Sequence, residues 1–378
     1  MSLELDEHRQ YLADSVRIDA FTRALAATIR PGDIVLDLAS GTGILGLLAC
    51  QAGAAKVYAV DDGPIIGLAR DLAAANGFAD RIEFIRHHSE WVTLPERVDV
   101  IVTDQIGRLG FDAGLFEYLA DARDRLAKPA ARLIPRAIEL WFVPCEHDEL
   151  RSVVDFWQTT VAGLDLRPAE TIARSTGYPF WIEPQHPLST PQRVTTTDFS
   201  QPASEFLEGR ADFIVSRDGR FDALGGWFRA ELSPGIWMTN GPGGAHINRR
   251  QALLAVNPPI AVSPGDRIRA HVRIRPTTSL IAWTIEVASA DGTVRERRRR
   301  STFEGILVST EDMTRSEPGR VPRLSRAGQI RSDVLSLCDG QRTLGAIETT
   351  LYQRHVDFFT GRDAAARFVS EVLRRYGE

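Results

Sequence analysis

Apolar positions in residues 8–30 (Tyr11, Leu12, Val16, Phe21, Leu25 and Ile29 among them) recur near helical spacing. They predict one amphipathic helix, stopped by Pro31-Gly32. Short apolar runs and helical patterns then alternate. IVLDLA reads as a strand, ILGLLACQAG as a helix, KVYAVD as a strand and IGLARDLAAANG as a helix ended by Gly77. RIEFIRHH and VDVIVTDQ read as strands, and a helix from Leu115 to Leu126 leads into ARLIPRAIELWFVPC. Alternation at this spacing predicts a doubly wound, Rossmann-like α/β sheet. After about Cys145 the texture changes. Residues 190–310 are rich in Thr, Val, Phe and Trp with frequent Pro and Gly. GWFRAEL, QALLAV, IRAHVRIRP and SLIAWTIEV predict strands of an antiparallel barrel or sandwich. STEDMTRSEPGR predicts a linker, and helical patterns return in residues 321–378. The expected organisation is a cofactor domain over 1–135, a β-barrel substrate domain over 136–308, a linker over 309–320 and a small helical domain over 321–378.

Composition narrows the function. The chain has 378 residues, 43% hydrophobic and 25% charged, an ordinary globular balance. It has no apolar run long enough to predict a membrane span. The acidic, polar start MSLELDEHRQ does not predict a signal peptide. Cys50, Cys145 and Cys338 are far apart and fit no metal spacing, so a reduced, cytoplasmic setting without structural zinc is expected. Only Lys56 and Lys128 are lysines, and the net charge of −5 argues against nucleic-acid binding by the whole chain.

The chemistry concentrates in VLDLASGTGILGLLACQAGAAKVYAVDD, Val35 to Asp62. Gly41, Gly43 and Gly46 match a dinucleotide fingerprint, with Asp61 near the distance of a ribose-binding acid, so an NAD-dependent oxidoreductase is a competing reading. Two features oppose it. Asp37 ends the first strand beside the loop, where a carboxylate repels a pyrophosphate. Asp61, Asp62, Glu90 and Asp104 fall at the expected carboxyl ends of successive strands, where open α/β sheets bind ligands. A ring of carboxylates suits a cation with a ribose and an adenine but no phosphate. S-adenosylmethionine is such a ligand.

The order LDLASGTGILGL, VYAVD, SEW, VDVIVTD resembles class I S-adenosylmethionine-dependent methyltransferases. YLADSVRIDAFTRAL, GTGILGLLACQAGAAKVYAVD, LADARDRLAKPAARLIPRAIELWFV, VDFWQTTVAGLDL and GGWFRAELSPG are more specifically similar to the protein arginine methyltransferase family, over roughly residues 8–305. The resemblance implies that Arg17 grips the methionine carboxylate and that His8 contacts the cofactor. It implies that Gly41 and Gly43 underlie it, with Ala39 in place of the usual first glycine. Asp37 matches the acid ending the first strand, Asp61 the residue that chelates the ribose hydroxyls, and Glu90 the acid near the adenine amine.

The acceptor side departs from the family. The family loop carries two glutamates. In TDQIGRLGFDAGLFEYL, Asp104 takes the first place and Ala113 the second, with Asp112 beside it. Arg108 inside this loop opposes a cationic guanidinium and suits an anionic group. The family's threonine-histidine-tryptophan loop survives only as GAHIN, which points to His246. Asp104, His246 and Asp112 are the candidates for holding or removing the proton of the nucleophile. The expected acceptor is a peptide, a protein, an amino acid or another small molecule, and a homodimer is expected from the resemblance alone. A catalytically inactive cofactor- and peptide-binding protein is the further alternative.

Two segments stand outside this scheme. PRLSRAGQIRSDVLSLCDGQRTLGAIETTL resembles the small winged-helix PqqD-like proteins, which implies a peptide-recognition module that adds a strand. RERRRR, Arg295 to Arg300, follows the turn at Asp291-Gly292 and reads either as a strand edge blunted by charge or as a dock for an acidic peptide.

Overall fold

The computed structural model describes residues 4–202 and 204–377. Two helices, α1 (Glu4–Ala13) and α2 (Ser15–Thr28), stand where the periodicity predicts one. The break is at Asp14, which leaves helical geometry and caps α2, its Oδ1 accepting from Arg17 N at 3.1 Å. Its other oxygen accepts from Asn248 N at 2.7 Å, from a loop 234 residues away. A local cap and a tertiary hydrogen bond thus meet at the break.

The parallel layer contains β1 (Ile34–Leu38), α3 (Ile44–Gln51), β2 (Lys56–Asp61), α4 (Ile66–Ala75), β3 (Ile82–Arg86), β4 (Val98–Val102), α5 (Leu115–Arg125) and β5 (Ala127–Ile134). The strand order is β3-β2-β1-β4-β5, all parallel. Most positions of β1, β2 and β4 are buried, which is why they read as near-continuous apolar runs. The order reverses between β1 and β4, and a crevice opens at their carboxyl ends.

The next strand, β6 (Ala137–Cys145), joins an antiparallel layer. There follow α6 (Asp148–Asp155), the short hairpin β7 (Thr160–Val161) and β8 (Leu164–Asp165), α7 (Glu170–Arg174), and β9 (Gly177–Phe180). The remaining strands are β10 (Gln192–Asp198), β11 (Leu207–Ile214), β12 (Gly219–Ser233), β13 (Ile236–Thr239), β14 (Gln251–Val262), β15 (Arg267–Arg275), β16 (Leu280–Ala288) and β17 (Val294–Ser301). They form two sheets, β10-β6-β12-β14-β9 with β13 on β12, and β11-β15-β16-β17. The arginine run lies on β17, which pairs with β16 alone and is an edge. Arg295 and Arg298 reach back to Asp266 and to Pro258 O.

The parallel and antiparallel layers share one core. Leu36, Phe111 and Ile134 of the first belong to the same buried cluster as Phe142, Phe228 and Trp283 of the second. Residues up to Ile306 therefore form one compact unit, and Leu307 onward a second.

The second unit has its own core of Ile330, Val334, Leu337, Ile347, Leu351 and Val369, among others. It contains α8 (Thr310–Arg315), α9 (Arg326–Leu337), α10 (Leu344–Arg354) and α11 (Arg362–Tyr376). Ser309 and Asp312 form a capping box that builds α8 inside the segment expected to be a linker. Among the described residues this unit has no strand, so a winged-helix wing is absent from them.

Phe228 is fully buried, and its N–H donates to Asn240 Oδ1, whose amide donates to Arg108 O. Phe228→Ala is expected to destabilise the first unit by about 3–5 kcal/mol. Chemical denaturation would show this as a lower midpoint.

Candidate active site

The glycine loop owes its shape to three left-handed residues, Ala39, Gly41 and Gly43, with φ of 56°, 55° and 75°. Gly41 cannot be replaced cheaply: a Cβ there would sit 2.8 Å from His8 Cε1. His8 thus lays its ring on the loop from α1. Beneath, Asp37 Oδ2 accepts from Gly46 N at 2.8 Å and ties β1 to α3. Burial pushes the Asp37 carboxyl up to about 7, with Asp61 adding to the effect, while the Gly46 N–H and Arg17 oppose it. Asp61, ending β2, accepts from Gly41 N and from Gly63 N, each at 2.8 Å, and so fixes two turns at once.

The opposite wall is built around Asp104, after β4. Arg17 Nε donates to Asp104 Oδ2 at 2.6 Å, and Arg17 Nη1 donates to Tyr11 O at 3.2 Å. Arg249 Nη2 lies 3.3 Å from the same oxygen, and its Nη1 donates to Gly107 O at 3.1 Å. All three side chains are largely buried. Asp112 is spent within its own loop, its Oδ1 accepting from Arg108 N at 2.7 Å and Leu109 N at 2.8 Å.

A cavity of about 830 Å³ lies between these walls. It is lined by His8, Arg17, Gly41, Asp61, Asp104 and Asp112. Asp37 and Gly43 lie outside its lining, Gly43 facing Phe84 and Ala69. Glu90 sits exposed on a 3-10 turn at Ser89–Trp91, 3.7 Å from His88 Nδ1. A smaller cavity of about 200 Å³ adjoins Asp61, and His88, Ser89 and Tyr118 line it, not Glu90. His246 does not line the main cavity. Its Nδ1 is 3.3 Å from Gly244 O and its ring stands against Trp181, which does line the cavity. Asn248, Arg249 and Arg250 line the cavity instead. The available signal was NRRQALLAV, two arginines directly ahead of an apolar strand.

Comparison with known proteins agrees with this geometry. Residues 21–109 match the family described as ribosomal protein L11 methyltransferase (PrmA). The chain is 26% identical to protein arginine N-methyltransferase 6 of Xenopus tropicalis, over 72% of this chain and 85% of that one. It is 28% identical to protein arginine N-methyltransferase PRMT10 of Oryza sativa subsp. japonica, over 70% and 79%. Among solved structures, Arabidopsis thaliana protein arginine methyltransferase 10 superposes with a TM-score of 0.69 at 25% identity, covering 79% of this chain and 97% of that one. The Trypanosoma brucei PRMT1 enzyme-prozyme complex with AdoHcy gives 0.70 at 20% identity, covering 78% and 97%.

The chain is an S-adenosylmethionine-dependent methyltransferase. Its residues fit the cofactor. Ser40 Oγ, on the glycine loop in the cavity lining, is buried without a protein partner. Buried polar atoms of this kind call for a ligand or water.

Asp37 generates a pH prediction. Its carboxyl ordinarily titrates at 3.8, and in the fold at about 7. Between these values the folded chain holds a proton that the unfolded chain releases. The stability contributed by this group is thus lost as pH rises from about 4 to about 7. Asp37→Asn removes that loss. Its melting temperature, measured without cofactor, is expected to gain on the wild type between about pH 5 and about pH 8. A constant difference would mean that Asp37 ionises normally.

Proposed function

We propose that this methyltransferase acts on a peptide, protein or amino-acid nucleophile that is not held by a pair of carboxylates. The observation that carries this reading is the single cavity with Gly41 and Asp61 on one wall and Asp104 and Arg249 on the other. Bound S-adenosylmethionine supplies an electrophilic methyl group, so that alignment and exclusion of water matter more than acid–base assistance. Arg17 would hold the methionine carboxylate through a guanidinium already fixed by Asp104 and Tyr11 O. Asp61 would hold the ribose hydroxyls, and the pocket of His88, Ser89 and Tyr118 the base. His8 would close the loop from above.

Assembly belongs to the same proposal. The Trypanosoma neighbour is a heterotetramer by its description, and self-association of this chain is the counterpart. Free Cys50, Cys145 and Cys338 suit a reduced, cytoplasmic setting. A peptide-recruiting role for the helical unit rests on sequence resemblance alone.

The test is transfer of radiolabelled methyl from S-adenosylmethionine into host lysate separated into protein, peptide and small-molecule fractions. Wild type is expected to label at least one fraction. Asp61→Ala is expected to lose label and to bind S-adenosylmethionine at least about tenfold more weakly, because two hydroxyl contacts to a carboxylate are gone. Cofactor bound without label anywhere would favour the inactive binding protein.

A further inference from the structure

We propose, resting on the methyl-transfer reading, that the acceptor carries a carboxylate beside its methylated N–H or O–H group. Arg249, with Arg108 and Arg250, sets this specificity.

The charge of the acceptor wall is the first observation. Asp104 is its one deep carboxylate, and it already faces two guanidinium groups, Arg17 at 2.6 Å and Arg249 at 3.3 Å. With Arg17 given to the cofactor's carboxylate, Arg249 offsets Asp104, so the cluster offers an acceptor no net negative charge. The position that would supply a second carboxylate is Ala113. Asp112 beside it gives one oxygen to two backbone N–H groups. Two further acids of the lining hold backbone N–H groups. Asp14 accepts from Arg17 N and Asn248 N, and Asp61 from Gly41 N and Gly63 N. Glu7, exposed on α1, is the remaining one.

The free cations are the second observation. Arg108 and Arg250 line the same cavity, both exposed, and among the described residues neither guanidinium has an ion-pair partner. An arginine fork binds a planar carboxylate through two parallel hydrogen bonds. A guanidinium acceptor brought beside Arg108 and Arg250 would meet like charge, and a carboxylate would meet its complement.

The third observation is Asp104 Oδ1, buried and without a partner. It needs a donor, and a carboxylate cannot supply one. A neutral N–H or O–H adjoining the carboxylate can. One group therefore answers the arginines and the other answers Asp104. Arg249 acts by offsetting Asp104, which leaves Arg108 and Arg250 as the cations the carboxylate meets.

Two synthetic peptide pools of equal length test this on the full chain. One is rich in Asp and Glu, the other in Arg, and both carry the same N–H and O–H side chains. Binding is measured by calorimetry with S-adenosylhomocysteine present, and methyl incorporation is measured in parallel. The acidic pool is expected to bind at least about tenfold more tightly than the basic one, and to weaken as salt rises. Arg250→Glu and Arg108→Glu, both at exposed positions, are each expected to weaken acidic binding about fivefold or more, with S-adenosylhomocysteine binding as the folding control. Arg249→Ala combined with Ala113→Glu is expected to move the preference towards the basic pool. A wild type that binds the basic pool better, binds both equally or binds neither overturns the proposal, as does indifference of acidic binding to both charge reversals. A wild type that binds no S-adenosylhomocysteine or S-adenosylmethionine instead removes the methyl-transfer reading beneath it.

Discussion

A carboxylate withdrawn from water must be answered by charge or hydrogen bonds. Asp104 is answered by two guanidinium groups that come from distant parts of the chain. Arg17 arrives on α2, Arg249 just ahead of β14, and Asp104 itself follows β4. The three elements are fixed against one another at one oxygen atom. Arg249 extends the tie to Gly107 O, and Asp14 adds a second tie through Asn248 N. The wall facing the glycine loop follows from this cluster. Removing either arginine would leave a buried charge half answered, a cost on the order of 3–5 kcal/mol in comparable pairs. The cluster also decides what the wall can recognise, since its one deep acid is cancelled before any acceptor arrives.

The parallel half was legible because its signals are local. Strands buried on both faces read as apolar runs, the glycine loop needs left-handed residues, and acids at strand ends face the crevice of any open α/β sheet. What the local pattern left hidden is mostly non-local. At Asp14 the local capping bond from Arg17 N is joined by one from Asn248 N, which no local pattern discloses. His246 was chosen as the surviving member of a family loop, but Asn248 and Arg249 line the wall. Glu90 is adjacent in sequence to Ser89, which does line the pocket beside Asp61, yet a single 3-10 turn carries its side chain outward. The helical reading of the tail holds, with well-capped helices α9 and α10.

The two walls of the cavity are built differently. On the cofactor wall, Ala39 adopts the left-handed conformation a glycine would take more easily. The acceptor wall has Ala113 beside Asp112 and carries arginines at 108, 249 and 250. A transferable methyl imposes one geometry on every enzyme that uses it. Acceptors vary, and the residues that face them are free to vary too.

The shared interior of the two layers has a consequence for how such a chain can change over generations. Because Phe142 and Phe228 pack in the same cluster as Leu36 and Ile134, neither layer is a cassette. Recombination at the junction near Ile134 would expose apolar surface on both sides, so the acceptor half must diverge by substitution in place. The helical segment closes its own interior around Ile330, Leu351 and Val369. Its apolar interior shares no residue with that of the two layers, so its own core can change by substitution apart from theirs.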